Sequence, residues 1–460
     1  MKKEITIQCA GGALSPTGAN FLVRGFEKTF LVDCGLLQGT KMAEESNWQP
    51  FPYDPKQVDI LFVTHAHLDH IGLIPKLIFD GFQGKIVSTH ATKDVARVML
   101  EDTASILSQS ESGKVFNLDA IYSTKILRKV FDMWQTIDYH ERYDVCSNLT
   151  LECFDAGHIL GSSMFVFEYK EQKFVFTGDL GNSPSPLLRD TEYLPEGVKY
   201  LLIESVYGDR NHESRDERRD VLKRVLVENY KRKGVLMVPI FSLERTQEFL
   251  YEINELVESG QIPEMPIFLD SPLAISVTEI FRKYSHLLKE EVVKDIANGD
   301  NIFKFPGFKE SPRASDSKTI VHSKNPKVIM AGAGMSTGGR IIHHEKEYLG
   351  DANNTLFITG FQTPGSLGRL LEEGAKKVRL FDQDIIVRAR IESVKGYSGH
   401  KDSDGLVDFV AHARKNLQKV FVAMGEMKSA LFLAQRITEE LEIPAHVATP
   451  QEILTLTFDD

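Results

Sequence analysis

The sequence predicts an α/β fold made of two unlike parts, and three observations carry that reading. The first 205 residues hold many short runs rich in Val, Ile and Phe, bounded by Gly, Asp or Asn, as strands are. After Tyr207 such runs alternate with helical segments, the mark of a parallel sheet with crossover helices. Histidines and carboxylates collect where several strand-like runs end, which is where an α/β sheet presents chemistry. With 460 residues, and about 100–200 residues per domain, the chain is long enough for more than one core.

Strands are expected at Glu4–Cys9, Asn20–Arg24, Thr29–Val32, Val58–Val63, Lys85–Ser88, Leu149–Phe154, Met164–Tyr169, Lys173–Phe176 and Tyr200–Ile203. Gly25-Phe26-Glu27-Lys28 joins two of them as a hairpin. One helix should follow His70, and one or two more should cover Lys93–Val130. Glu213–Lys233 has apolar residues at helical spacing and Gly234 as a stop. Its cations Lys223, Arg224, Lys231, Arg232 and Lys233 read as a solvated helix face rather than a track for a polyanion. Strand Val235–Pro239, helix Leu243–Glu258, strand Pro266–Leu269 and helix Leu273–Leu288 follow. Asn298–Lys327, polar and punctuated by Gly, Pro and Ser, reads as loop-rich. Strands resume at Asp384–Glu392 and Val420–Ala423, with helices at Asp402–Lys415 and Met427–Leu441.

Composition narrows the class. Lys and Arg number 54 against 65 Asp and Glu, a formal charge of −11, which excludes a general nucleic-acid coat protein but leaves room for a locally basic cleft. No stretch reaches the ~20 apolar residues of a membrane helix. Met1-Lys2-Lys3-Glu4 runs straight into a strand pattern with no signal-peptide core, and the four cysteines form no C-x-x-C pair. A reduced, cytoplasmic protein with no membrane partner is expected.

The most informative segment is Thr64-His65-Ala66-His67-Leu68-Asp69-His70-Ile71-Gly72, at the end of the apolar run Asp59–Val63. Histidine is the commonest metal ligand, and its neutral imidazole suits zinc. Side chains two apart in an extended turn point the same way, so His65 and His67 can grip one metal while Asp69 and His70 turn to a second. The bland alternative is a run of solvent-facing histidines. Asp155-Ala156-Gly157-His158 and Thr177-Gly178-Asp179 end two further strands; alone they would read as a structural histidine and a turn carboxylate. Together the groups make sense: His65, His67 and His158 for one zinc, Asp69 and His70 for another, and Asp179 as the bridge. Two cations about 3.5–4 Å apart lower the pKa of a shared water and clamp the oxygens of an in-line displacement. Asp33, at the end of Thr29–Val32, is expected to orient a ligand.

Thr64–Gly72, Gly157–Ser162 and Thr177–Gly181, with Asp33, resemble the four motifs of the metallo-β-lactamase fold. Leu202-Ile203-Glu204-Ser205-Val206-Tyr207-Gly208-Asp209-Arg210 resembles motif A of the β-CASP nucleases, and Gly396-Tyr397-Ser398-Gly399-His400-Lys401-Asp402 resembles motif B. Family-like segments at Pro239–Glu248, Leu269–Ala274, Gly332–Arg340 and Gly360–Arg369 extend the likeness over nearly the whole chain. It is nearest the RNA-processing branch, the pre-mRNA 3′-end endonuclease and its compact bacterial and archaeal relatives. The resemblance implies a metallo-β-lactamase αββα sandwich interrupted by an inserted β-CASP α/β domain. The expected division is residues 1–207, the insert at 208–386, and a return at 387–460, with the active site in the cleft between the domains.

The resemblance also implies roles. The expected activity is zinc-dependent ribonuclease hydrolysis of RNA phosphodiester bonds. Asp69 would orient the nucleophile, and His400, held by Glu204, would stabilise or protonate the leaving oxygen. Ser271, Ser336 and Ser398 fall in the family-like segments as substrate contacts. The Gly332–Arg340 turn, with Ser336 and Arg340, offers N–H groups and a cation to phosphate; Arg245 and Arg369 are similar candidates. Their bland readings are a tight turn and surface ion pairs. One departure stands out: the family's third post-insert histidine, a ligand of the second metal, is matched here by Met424. Thioether is a poor ligand for a hard or borderline cation, so two zincs are expected with the second held weakly. Replacement by His412 or His446 is the lesser expectation. Because the DNA-cleaving branch carries an apolar residue there, single-stranded DNA is the rival substrate. A hydrolase of small esters and a non-catalytic binding subunit are the more distant rivals, and a homodimer is an open possibility.

Overall fold

The computed structural model describes residues 2–107, 115–213, 215–360, 362–363, 365–394 and 397–459. The chain divides into two compact units, Met1–Asn211 with His400–Asp460, and His212–Gly399.

The first unit begins with β1 (Lys2–Gly11), β2 (Asn20–Gly25), β3 (Lys28–Val32), β4 (Ile60–Phe62), β5 (Lys85–Thr89) and β6 (Trp134–Ile137). It continues with β7 (Tyr143–Cys146), β8 (Leu149–Asp155), β9 (Ser163–Tyr169), β10 (Gln172–Phe176) and β11 (Val198–Ile203). The second unit supplies β12 (Val235–Pro239), β13 (Ile267–Asp270), β14 (Phe308–Glu310), β15 (Lys327–Ala331) and β16 (Thr355–Ile358). It ends with the β17–β18 hairpin (Lys377–Leu380, Gln383–Ile386) and β19 (Arg390–Ser393); β20 (Lys419–Val422), β21 (Ala445–Val447) and β22 (Ile453–Asp459) return to the first unit.

Two seven-stranded sheets form the first unit, in the orders β22-β1-β2-β3-β4-β5-β6 and β21-β20-β11-β10-β9-β8-β7. Their facing sides share one core. β8 alternates strictly, sending Leu149, Leu151 and Cys153 inward. The ring of Phe167 lies at its centre, stacked on Phe30 at 5.0 Å and Phe174 at 4.9 Å, with Phe62 edge-on at 5.4 Å. β9 to β11 are buried on both faces and so read as continuous apolar runs. Their outer residues Val166, Val175, Leu201 and Ile203 share a core with Leu406, Val410, Leu433 and Ile437 of the helices Ser403–His412 and Met427–Leu441. On the other sheet, the helix His90–Leu107 packs against β5 and β6. Helices outside two facing sheets give the expected αββα arrangement.

The second unit is a six-stranded, all-parallel sheet in the order β14-β13-β15-β12-β16-β19. Its central strands β12 and β15 are buried at every residue.

The structure departs from expectation in places. Asn298–Lys327 is loop-rich as expected, but it also contains β14 and the helix Ala314–Ile320, whose last carbonyl takes a hydrogen bond from the buried Lys327 Nζ. The run Asp384–Glu392 is no single strand but the second arm of a hairpin followed by β19. Since β19 pairs in parallel with β16, Arg390–Ser393 extend the sheet of the second unit, and the chain rejoins the first unit at His400. β22 was legible and missed: Leu454, Leu456 and Phe458 alternate inward against polar neighbours. Among the described residues no helix is long and apolar enough to cross a membrane.

Candidate metal centre

The candidate groups follow strands β3, β4, β8, β10 and β11, whose carboxyl ends lie along one rim of the first unit. β3 and β4 are parallel, and so are β10 and β11, which brings Asp33, His65, Asp179 and Glu204 to the same side.

The Thr64–Gly72 loop is clamped by backbone. Cys34 and Leu36 amides donate to the carbonyls of His70 and Leu68 at 2.8 and 2.9 Å, and the Ala19 amide donates to Asp69 O at 2.9 Å. So close an approach needs Gly35, because a Cβ there would lie 1.6 Å from Asp69 O. His67 then caps the short helix Leu68–Ile71, which carries Asp69 and His70.

Four donors converge first. His67 Nδ1 is 3.1 Å from His65 Nε2 and 3.2 Å from His158 Nε2. Asp179 Oδ2 is 3.4 Å from His65 Nε2 and 3.6 Å from His158 Nε2. Bonds of about 2.0–2.1 Å around a tetrahedral zinc put neighbouring donors roughly 3.3 Å apart. The separations and the three-nitrogen, one-oxygen donor set therefore fit such an ion.

A second group adjoins it. His70 Nε2 lies 3.4 Å from Asp179 Oδ1 and 4.0 Å from Asp69 Oδ2. Both His70 Nε2 and Asp179 Oδ1 are buried and make no hydrogen bond. Burying such atoms without a partner is costly, and a cation between them removes the cost. The other face of His70 is fixed: its Nδ1 is 2.7 Å from Asp33 Oδ2, which leaves Nε2 as the lone-pair donor. Asp33 also accepts from the Thr64 amide and hydroxyl, each at 2.8 Å. Thr64 was missed in the sequence, where only its place at the strand end could have marked it.

Charge follows this geometry. Burial raises the Asp179 carboxyl, but the His70 and His65 rings outweigh it and hold the group well below the usual carboxylate range. Burial and then the neighbouring His65 and His158 rings push His67 well below an ordinary imidazole, so it is a neutral donor.

Met424 is buried and lines a small cavity with Asp33, His70 and Glu204. The oxygen and nitrogen donors gathered beside it are those of Asp69, His70 and Asp179. His412 does not replace them; it stacks on Tyr193 at 3.8 Å and lies 2.8 Å from Asp408 O. His446 is held by Glu452 at 2.7 Å.

Glu204 and His400 meet beside the first donors. Glu204 Oε1 accepts from the Leu180 amide at 2.7 Å and lies 3.2 Å from His400 Nδ1. The His400 ring is 4.6 Å from that of His158. Backbone holds it in register, through a bridge between Gly181 and His400 and a 2.7 Å bond from Lys401 N to Leu180 O.

The six other candidates lie in the second unit. Arg340 is engaged internally, with Nη1 2.7 Å from Asp270 Oδ1 and 2.6 Å from Ser311 O. Ser336 donates to Glu345, Ser271 caps the helix Pro272–Lys283, and Arg369 pairs with Glu373 at 2.7 Å. Arg245 lies over the Phe241 ring at 4.3 Å, and Ser398 is buried. Ser271 and the Gly332–Arg340 turn do share the carboxyl edge of the sheet: a Cβ on Gly332 would lie 3.7 Å from Ser271 Oγ. The sequence did not reveal that Asp270 and His344, 2.7 Å apart, support this edge.

Family models match three stretches: a metallo-beta-lactamase superfamily domain over residues 22–202, a Beta-Casp domain over residues 246–371, and a Zn-dependent metallo-hydrolase RNA specificity domain over residues 384–448. The chain is 32% identical over 426 residues to Ribonuclease TTHA0252 of Thermus thermophilus, covering 92% of this chain and 94% of that one. It is 31% identical over 430 residues to an RNase J-like protein of Methanocaldococcus jannaschii, covering 93% and 94%. It is 28% identical over 467 residues to Transcription termination factor FttA of Methanosarcina mazei, covering 98% and 72%. A crystal structure of an Enterococcus faecalis protein of unknown function covers 99% of this chain and 100% of its own, with a TM-score of 0.57 at 12% identity, a likeness of fold alone.

Proposed function

The chain belongs to the β-CASP family of metallo-β-lactamase-fold hydrolases, and on that premise we propose that it is a metal-dependent ribonuclease that hydrolyses RNA phosphodiester bonds. The observation that carries the reading is the buried carboxylate Asp179, with one oxygen among three imidazole nitrogens and the other facing His70.

His65, His67, His158 and Asp179 would hold one ion, for which zinc suits the donor set. Asp69, His70 and Asp179 would hold a second, more weakly, with Met424 adding only a thioether nearby. Bound there, divalent cations supply Lewis-acid charge for the phosphoryl oxygens and lower the pKa of water.

The chain's own groups do the rest. Asp69 accepts a hydrogen bond from the attacking water and aims it. Glu204 holds His400 at Nδ1, which fixes the ring's tautomer and aims the other nitrogen outward. His400 then gives a proton to the departing ribose oxygen as the P–O bond breaks. Arg245, Ser271, Ser336, Arg340, Arg369 and Ser398 are proposed to steady the RNA backbone. The four cysteines are free, in keeping with a reducing cytoplasm.

Incubation of end-labelled RNA with purified protein tests the reading. Cleavage that stops with chelator and returns with added zinc is expected. Activity on esters alone, or none on RNA with metal bound, would overturn it. Matched single-stranded DNA is the arm that separates the rival substrate.

A further inference from the structure

We propose that the second group of donors takes a hard divalent cation of the manganese and magnesium kind in preference to zinc, and that Met424 decides the choice. All the side chains concerned belong to the first unit.

The two neighbouring groups offer different chemistry. The first presents three imidazole nitrogens and one carboxylate oxygen, a full set for a four-coordinate zinc. The second presents one imidazole nitrogen, His70 Nε2, with carboxylate oxygens of Asp69 and Asp179. His70 and Asp179 are buried, and the atoms they turn to one another, Nε2 and Oδ1, make no hydrogen bond. Such a pair is built for a cation.

Met424 withholds the next nitrogen. Its backbone is fixed where β20 ends: the amide donates to Gly12 O at 2.7 Å, and the carbonyl accepts from the Ser205 amide at 3.1 Å. Its sulfur lies beside Gly12, where a Cβ would be 2.5 Å from Sδ, and the side chain packs in the core with Phe21, Phe176 and Leu202. The cavity that Met424 shares with Asp33, His70 and Glu204 measures about 10 Å³, close to the room of one water.

An ion held by one nitrogen and two oxygens fills its remaining places with water. Manganese and magnesium favour carboxylate and water and keep several waters when bound, so they lose little by this; zinc, better suited by imidazole, loses more. Zinc is the stronger binder at most nitrogen and oxygen sites, so it still enters the second group when nothing competes. The inference concerns the choice in a mixture, and it rests on the metal-dependent reading above.

Metal-free protein should be equilibrated with zinc and a hundredfold excess of manganese. Bound metals are then counted by mass spectrometry, manganese is followed by electron paramagnetic resonance, and thermal midpoints show that each variant is folded. The native chain should hold one zinc and one manganese. Asp69→Asn should keep the zinc and lose the manganese, which assigns the manganese to the second group. Met424→Leu, which keeps the packing without the sulfur, should bind as the native chain does. Met424→His should exchange the manganese for a second zinc. Two zincs or a lone zinc in the native chain, manganese retained by Asp69→Asn, or manganese lost from Met424→Leu would overturn the proposal. So would a folded Met424→His chain that keeps its manganese; if that variant does not fold, the other three counts decide. Less than one zinc per native chain in zinc alone is the separate result that sinks the metal-dependent reading itself.

Discussion

Asp33 shows how one side chain sets the chemistry of its neighbours. It takes the amide and hydroxyl of Thr64 and the Nδ1 of His70, so that a single carboxylate aligns the ligand loop and chooses the tautomer of a ligand. Asp33→Asn keeps the size and loses the charge. Partners of this kind are worth about 10–100-fold in metal affinity. Zinc titration should show that loss at the weaker of two sites, with the stronger one little changed. Glu345 offers a second test at this scale. Burial, against the Ser336 hydrogen bond, raises its carboxyl from 4.5 to about 7. Between those values the folded chain holds a proton that the unfolded chain releases, so this group's contribution to stability falls as pH rises through the window and the full penalty stands above it. At about 1.4 kcal/mol per pH unit the penalty reaches roughly 3 kcal/mol. Glu345→Gln should therefore gain on the native chain between pH 4.5 and 8 by up to that amount in urea unfolding. A gap that stays constant with pH would refute it.

Among elements, the ligand loop depends on the strand beside it. The carbonyl of Asp69 sits where a Cβ of residue 35 would be, and three backbone bonds hold the loop against 19–36. Gly35→Ala should push the loop outward and cost most of the bound zinc while both sheets persist, read as metal content beside far-ultraviolet circular dichroism. Full zinc content in that variant would show that the loop tolerates the shift. The elements also differ in how openly the sequence declared them. β8 and β10 were plain because Leu149, Leu151, Cys153, Phe174 and Phe176 supply either alternation or an apolar run. β6 and β7, four residues each with mixed polarity, carry little periodic signal and owe their form to pairing with β5 and β8. β14 and β19 likewise exist because the strands beside them, β13 and β16, supply the hydrogen bonds.

At the scale of the whole molecule, the site packs uncompensated polar atoms into the core of the first unit, so metal binding is also folding energy there. A ligand that binds only the folded state stabilises it by about 2.7 kcal/mol at a hundred times its dissociation constant. Chelation should lower the thermal midpoint of the first unit, and calorimetry should show the second unit's transition unmoved. Equal loss in both transitions would contradict a site confined to the first unit. The sequence by itself determined the ligand types and their order, because residues two to five apart in a turn cannot avoid one another: His65, His67, Asp69 and His70 were bound to form a cluster. Only the tertiary structure decided that His158, Asp179, Glu204 and His400, up to 335 residues from His65, join that cluster, and that Met424 faces a cavity shared with His70. Likewise the sequence offered Arg340 as a cation for phosphate, and in the fold it pairs with Asp270. Local spacing fixes what neighbours along the chain can hold; which distant groups meet is settled by how strands pair and sheets stack, and that depends on the burial of the whole core rather than on any one segment.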